Sequence, residues 1–273
     1  LKPFIFIALL LPSIVLASNE NDPAGARAAG MGNAALGFKD IWSFYQNQAG
    51  LAHLDAFTAG VFYENRFLVK GMSYQGFAAA NPLGENGVVS VGYSGFGFSV
   101  YKEDKVGAAY SMRLAKNLTA GVGINYHSTR ITAENYGSTG LVTAELGVQM
   151  QVSKNVMVSS HIFNPFRAQL NDFNDERLPT ILRLGASYQI SDDLLAALEV
   201  EKDIDQKPSL RGGIEYQPVD ILYIRLGSST LPNQFSFGLG VAFKQFRFDL
   251  AGSYHSQLGY TPQVSLTYLP QKQ

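Results

Sequence analysis

The chain has no cysteine, one tryptophan and almost no net charge, its 21 basic side chains nearly cancelling 22 acidic ones. Lack of Cys excludes disulfide staples, thiolate zinc sites and lipid attachment at an N-terminal Cys, so an envelope location must rest on other grounds. A balance of −1, with no basic stripe carrying interleaved aromatics, gives no reason to expect a nucleic-acid partner. Long apolar runs are equally scarce. The one present, Phe4 to Ala17, follows Lys2, is broken by Pro12 and ends in Val15 and Ala17 before a polar stretch. That pattern reads as a removable signal peptide over residues 1–17, with a retained anchor as the alternative. No later segment approaches the ~20 continuous apolar residues of a membrane helix, so a chain that spans a membrane here spans it as strands.

Catalytic signatures are also missing. There is no G-x-S-x-G elbow and no H-E-x-x-H helix, and the glycine patterns at 121–125 and 238–242 fall inside strand-like segments, where they cannot cradle a phosphate. Neither an enzyme nor a bound cofactor is expected. Of the four His, His127, His161 and His255 fall by parity on one face near one end of three non-adjacent segments. They read as polar rim residues rather than metal ligands.

What the sequence does contain is alternation. From about Asp55 to Leu269, segments of about ten residues alternate apolar with small or polar side chains and close in turns. Leu118, Ala120, Val122, Ile124 and Tyr126 face one way, and Thr119, Gly121, Gly123, Asn125 and His127 the other. A soluble sandwich would alternate too, but it has no reason to place tight junctions at every second connection. The junctions 115–117, 153–155, 191–193, 218–220 and 244–245 do so, with longer stretches such as 129–140 and 164–180 between them. Short periplasmic turns alternating with longer outer loops predict an all-β chain folded as a transmembrane, antiparallel, up-and-down β-barrel of about 14 strands, its wall facing the lipid of a bacterial outer membrane. Tyr188, Tyr216, Phe243, Phe246 and Tyr268 near the tight turns, and Tyr126, Phe235 and Tyr254 at the opposite ends, fit interfacial aromatic girdles. The stretch 77–87 is expected as an unusually long turn, and glycines 92, 95 and 97 mark a bend or break in the third strand.

Residues 18–53 lack this alternation. Their apolar, small-residue part, Gly25 to Ala52, holds Arg27, Asn47 and the only tryptophan, Trp42, and suits a compact plug entering the barrel from the periplasmic side. An external cap is the alternative. The barrel proper is assigned to 54–269 and a tail to 270–273. The opening GARAAGMG at 25–32, the NQAGL at 47–51, LPTILRLGASY at 178–188 and RGGIEYQP at 211–218 resemble the fatty-acid-transporter-like outer-membrane barrels of Bacteroidota, including the PorV and PorQ proteins of type IX secretion. The resemblance implies roughly fourteen strands and a plug, without choosing between transport and partner binding. That family more often has Pro where this chain has Gln48, which bears on the plug's geometry.

The inward faces carry Arg113, Glu145, Arg183, Glu199, Glu201, Arg211, Glu215, Arg225, Lys244, Arg247 and Asp249. Mixed signs select solutes poorly, so these are expected to form a cross-strand charge ladder rather than a selective eyelet. A route for fatty acids needs a continuous apolar lining that these faces do not offer. The expected role is therefore a structural or adaptor barrel with a protein partner in an envelope complex, a passive or gated channel for small molecules being the alternative. The partner surface is placed on the loop 164–180, at Phe166, Arg167, Phe173 and Arg177.

Overall fold

The fold is known from a computed structural model that describes residues 23–132, 137–168 and 178–270. The signal-peptide segment 1–17, the tail beyond Pro270, and Phe173 and Arg177 lie outside the described residues. Fourteen antiparallel strands close into one barrel: β1 Thr58–Asn65, β2 Ser73–Pro82, β3 Val88–Gly97, β4 Tyr101–Ala115, β5 Leu118–Ile131, β6 Ser138–Gln151 and β7 Val156–Phe163, then β8 Ile181–Ser191, β9 Leu194–Asp203, β10 Ser209–Val219, β11 Leu222–Thr230, β12 Asn233–Phe243, β13 Phe246–His255 and β14 Gly259–Tyr268. Each strand pairs with its sequence neighbours, and β1 meets β14 from Ala59 opposite Tyr268 to Glu64 opposite Gln263. Closure removes every edge, so no row of backbone N–H and C=O groups is left to face lipid.

The predicted alternation is what the wall shows. In β5, Val122, Ile124 and Tyr126 point outward and are exposed, whereas Thr119, Asn125 and His127 are buried inside. The same holds for Phe235, Phe237, Leu239, Val241 and Phe243 of β12, and such exposed apolar side chains recur around the barrel. A continuous apolar exterior is untenable in water and is what hydrocarbon requires, so the chain is an outer-membrane barrel. Exposed Tyr188, Tyr216, Phe243 and Phe246 ring the turn end, and Tyr63, Tyr126, Phe235, Tyr254 and Tyr260 the opposite, loop end.

Three sequence expectations shift. The barrel wall begins later than the expected 54, because Leu54 to Phe57 link the plug to β1, and residues 66–72 form a compact loop before β2. Arg66 N donates to Met72 O (2.8 Å) there, and Phe67 and Leu68 adopt positive φ. The expected long turn at 77–87 is half strand: β2 runs on to Pro82, and the turn closes where Leu83 N donates to Gly87 O at 2.7 Å. Its Ala-rich sequence hides the alternation, since Ala78 and Ala80 face inward beneath bulky plug side chains. β3 is one unbroken strand that ends at Gly97, whose φ of 113° only glycine adopts readily. Connections at the loop end are not uniformly long either, since β3 joins β4 through 98–100 and β11 joins β12 through 231–232 alone.

The plugged lumen as candidate functional site

Residues 24–53 occupy the barrel as a coil of short turns: α1 Ala26–Gly30, α2 Ser43–Gln46 and a 3₁₀ segment Gln48–His53. Such short pieces are not stable alone and are held by packing. Trp42, Phe44 and Tyr45 form an edge-to-face cluster with Phe62 of the wall, against which Tyr74 lies tilted, and the Trp42 and Phe62 centroids are 5.7 Å apart. Trp42 is buried between Gly25 and Gly60, where a Cβ at either position would lie under 3.0 Å from its ring. Tyr45 Oη shares its one proton between the carbonyl oxygens of Phe77 and Tyr93, at 2.7 and 2.8 Å. Burial, reinforced by Tyr74, holds its phenol well above the ordinary range.

The wall is shaped to receive this coil. Gly92 of β3 lies against Phe44, Gly121 of β5 against Gln48 and Ala49, Gly147 of β6 against Asn47, Gly213 of β10 against Met31, and Gly227 of β11 against Met31 and Gly32. A side chain at any of these would collide with the plug. Asn47 Nδ2 donates to Leu36 O (3.2 Å), Val148 O (3.3 Å) and Ser160 O (3.4 Å), while its Oδ1 accepts from Ala49 N. One side chain thus caps the 3₁₀ segment and fastens it to two strands.

Charge completes the fastening. Arg27 bridges Asp40 (2.8 Å) and Glu215 (2.6 Å). Burial opposes its charge, but the two carboxylates outweigh burial and hold its guanidinium above the ordinary range. Glu215 also takes Arg225 Nε at 2.5 Å, Arg225 Nη1 reaches Asp249 at 2.7 Å, and Arg247 joins Asp249 (3.1 Å) to Asp40 (3.4 Å). Arg225 crosses β12 to reach Asp249 because Gly238 and Gly240 leave the inner face open there. On the next strands Arg183 and Arg211 both bond Glu201, at 2.6 and 2.5 Å, and flank Glu199, whose Oε2 accepts Ala35 N of the plug at 3.2 Å. A third group centres on Glu145, which receives Lys105 (2.9 Å), Asn125 (2.7 Å), His161 (3.0 Å) and Gln48 (2.7 Å). Six cations, Arg27, Lys105, Arg183, Arg211, Arg225 and Arg247, face six carboxylates, Asp40, Glu145, Glu199, Glu201, Glu215 and Asp249. These twelve groups therefore form a charge-balanced, cross-linked ladder around the plug.

Not every expected lumen charge belongs to it. Arg113 is exposed at the turn-end mouth, and Lys244 lies in the β12–β13 turn at φ 54° rather than on the inner wall. His161 is buried on Glu145 rather than at a rim, His127 contacts Thr143 at 3.0 Å, and His255 packs by Phe67, so the three imidazoles serve separate neighbours. At the loop end, Asn164 Nδ2 donates to Leu178 O at 3.0 Å and Thr180 Oγ1 to Asn164 O at 2.8 Å. The base of the 164–180 loop thus turns inward over Phe163. Phe166 remains 82% exposed and Arg167 is exposed at φ 54°. Sequence reasoning missed Lys105, Asp40 and Gln48. Parity with Ala109 and Ser111 places Lys105 inward, whereas nothing in the plug's sequence tells which wall group Asp40 or Gln48 meets.

No protein-family model matches the chain, and no curated protein matches it. Solved structures do share its fold. The Pseudomonas putida toluene transporter TodX aligns over 93% of this chain and 100% of its own at 12% identity, with a TM-score of 0.68. A Pseudomonas aeruginosa FadL homologue aligns over 89% and 98% at 10% identity, with a TM-score of 0.66. The Acinetobacter baumannii outer-membrane protein Omp33 gives 0.53 at 8% identity over 78% and 97%. The chain has the fold of FadL-type outer-membrane barrels.

Proposed function

We propose that this barrel is a non-enzymatic structural or adaptor subunit of an envelope protein complex for secretion or assembly, one of the two roles that the resemblance to PorV and PorQ leaves open. The observation that carries the reading is the lumen ladder, whose six cations and six carboxylates are tied to one another and to the plug through Arg27, Asp40, Gln48 and Asn47. A solute passing through would have to break buried, hydrogen-bonded ion pairs, each costing several kcal/mol when one partner is lost (about 3–5). The exposed Phe166 and Arg167 at the loop end are presented for a partner.

A channel for hydrophobic molecules is the second reading. It is favoured by the fold shared with a protein described as a toluene transporter and by the aromatic cluster of Phe62, Tyr74 and Phe96 above the plug. Planar-bilayer conductance and toluene uptake by proteoliposomes, set beside crosslinked purification from native membranes, separate the two. The adaptor reading expects a closed barrel, no flux and a stoichiometric complex weakened by Phe166→Ser. Flux from a free monomer overturns it.

A further inference from the structure

Charges at the turn end are sorted by sector. Arg113 at the end of β4, Lys116 in the β4–β5 turn, Lys154 in the β6–β7 turn and Lys39 of the plug lie along the β4–β7 quarter, all exposed. Gln151 ties this quarter together, because its Oε1 accepts Lys39 Nζ at 3.1 Å and its backbone N donates to Asn117 O at 2.8 Å. The next turns carry the opposite sign: Asp192 and Asp193 between β8 and β9, and Asp220 between β10 and β11, are exposed. Within the lumen every cation has a carboxylate. Among the described residues, Lys39, Arg113, Lys116 and Lys154 have no carboxylate partner.

Lys39, Arg113 and His53 crowd one another. Burial and the neighbouring Arg113 lower the Lys39 ammonium from its ordinary value. His53 is pushed down to about 4 by burial, Lys39 and Arg113, with Asp55 opposing. Asp55 and the turn residue Glu85 are the acids bordering this quarter, and they leave it net positive. Lipid is not what these side chains address. In β4 it is Met112 and Leu114 that face outward, so Arg113 between them turns to the mouth, and Lys39 comes from inside the barrel.

We propose that this basic arc is a docking surface for an acidic segment of a periplasmic protein, oriented by the acidic arc beside it; the proposal rests on the adaptor reading for its biological purpose. Like charges held together without counter-charges are relieved by an anionic partner, and the adjoining carboxylates of the β8–β9 and β10–β11 turns repel the same partner from the neighbouring sector. Complementarity of this kind acts on encounter and pose, and it weakens with salt, since the screening length is about 8 Å at physiological ionic strength.

The test uses the full chain in phosphatidylcholine nanodiscs and a fluorescent oligoglutamate of about twelve residues, with oligolysine as the control. Wild type should bind oligoglutamate in a salt-dependent manner and ignore oligolysine at the arc. The variant Lys39→Glu/Lys116→Glu/Lys154→Glu, confirmed as folded by heat-modifiable migration, should lose about tenfold or more in affinity. Asp192→Lys/Asp193→Lys/Asp220→Lys should gain. Equal affinity of wild type and the Lys variant overturns the proposal. So does loss of wild-type peptide binding when phosphatidylglycerol replaces phosphatidylcholine, because the cations then belong to lipid headgroups. Conductance does not enter this readout, so a barrel that proves to be a channel leaves the arc result standing.

Discussion

Among single residues, Arg225 concentrates the most constraint. Its guanidinium is fully buried and spans from Glu215 on the adjacent strand to Asp249 two strands away. The reach depends on Gly238 and Gly240 of β12, where a Cβ would stand against Arg225 itself. Buried ion pairs contribute little relative to an apolar core, but removing one member strands the other without water. Asp249→Ala leaves Arg225 with Glu215 alone and takes a carboxylate from Arg247, so it should cost about 3–5 kcal/mol. Asp249→Asn, which keeps an acceptor, should cost less. Urea unfolding in detergent, followed by tryptophan emission from Trp42, measures both. A loss under about 1 kcal/mol for the Ala variant would mean that water satisfies these guanidinium groups and the lumen is wetter than its burial indicates.

Among elements, the plug and the glycines facing it form one device, and it was only half legible in the sequence. Strand interiors were readable because a period of two survives any loop, as in Leu182, Leu184 and Ala186 against Arg183, Gly185 and Ser187. Strand ends were not. Nothing in Ala78-Ala79-Ala80 alternates, and the sidedness of β2 is set by the plug aromatics that Ala78 and Ala80 accommodate. The plug's small-residue composition was visible, but its partners are scattered over many strands, from Phe77, 32 residues from Tyr45, to Val148, 101 residues from Asn47, and such pairings leave no local pattern. The glycines of 92, 121, 147, 213 and 227 read as inward small residues, and only the fold shows that each matches a point on the plug. Gln48, where the resembling family more often has Pro, supplies a donor to Glu145 and so adds a plug-to-wall bond. A wall substitution should therefore evict the plug without opening the barrel. Gly227→Leu sets a side chain into the backbone of Met31 and Gly32, so trypsin should cut at Arg27, held inside the barrel by Asp40 and Glu215, in the variant and spare it in wild type. Equal cleavage of both would show that the plug is loose to begin with.

At the scale of the whole molecule, the even strand number puts the start of β1 and the finish of β14 at the same, turn end of the barrel, and the plug enters β1 from that side. Short turns and chain ends belong in the periplasm in bacterial barrels of this kind. The loop end carries the 164–180 segment and the residues 66–72, whose Phe67 N donates to Thr261 Oγ1 at 3.1 Å and so ties the β1–β2 loop to β14 across the closing seam. If the turn end is periplasmic, the arc of Lys39, Arg113, Lys116 and Lys154 looks toward soluble periplasmic proteins and Phe166 looks outward from the cell. The opposite orientation would exchange the two candidate partner surfaces. Because the chain has no cysteine, single cysteines can be placed without background. Asn117→Cys, Asn155→Cys and Asp192→Cys in the turns should resist an impermeant maleimide in intact cells and react once the outer membrane is permeabilised. Gln257→Cys, exposed between β13 and β14, should react in both. Labelling of the turn cysteines in intact cells, with Gln257→Cys protected, would invert the barrel and move the acidic partner to the cell exterior.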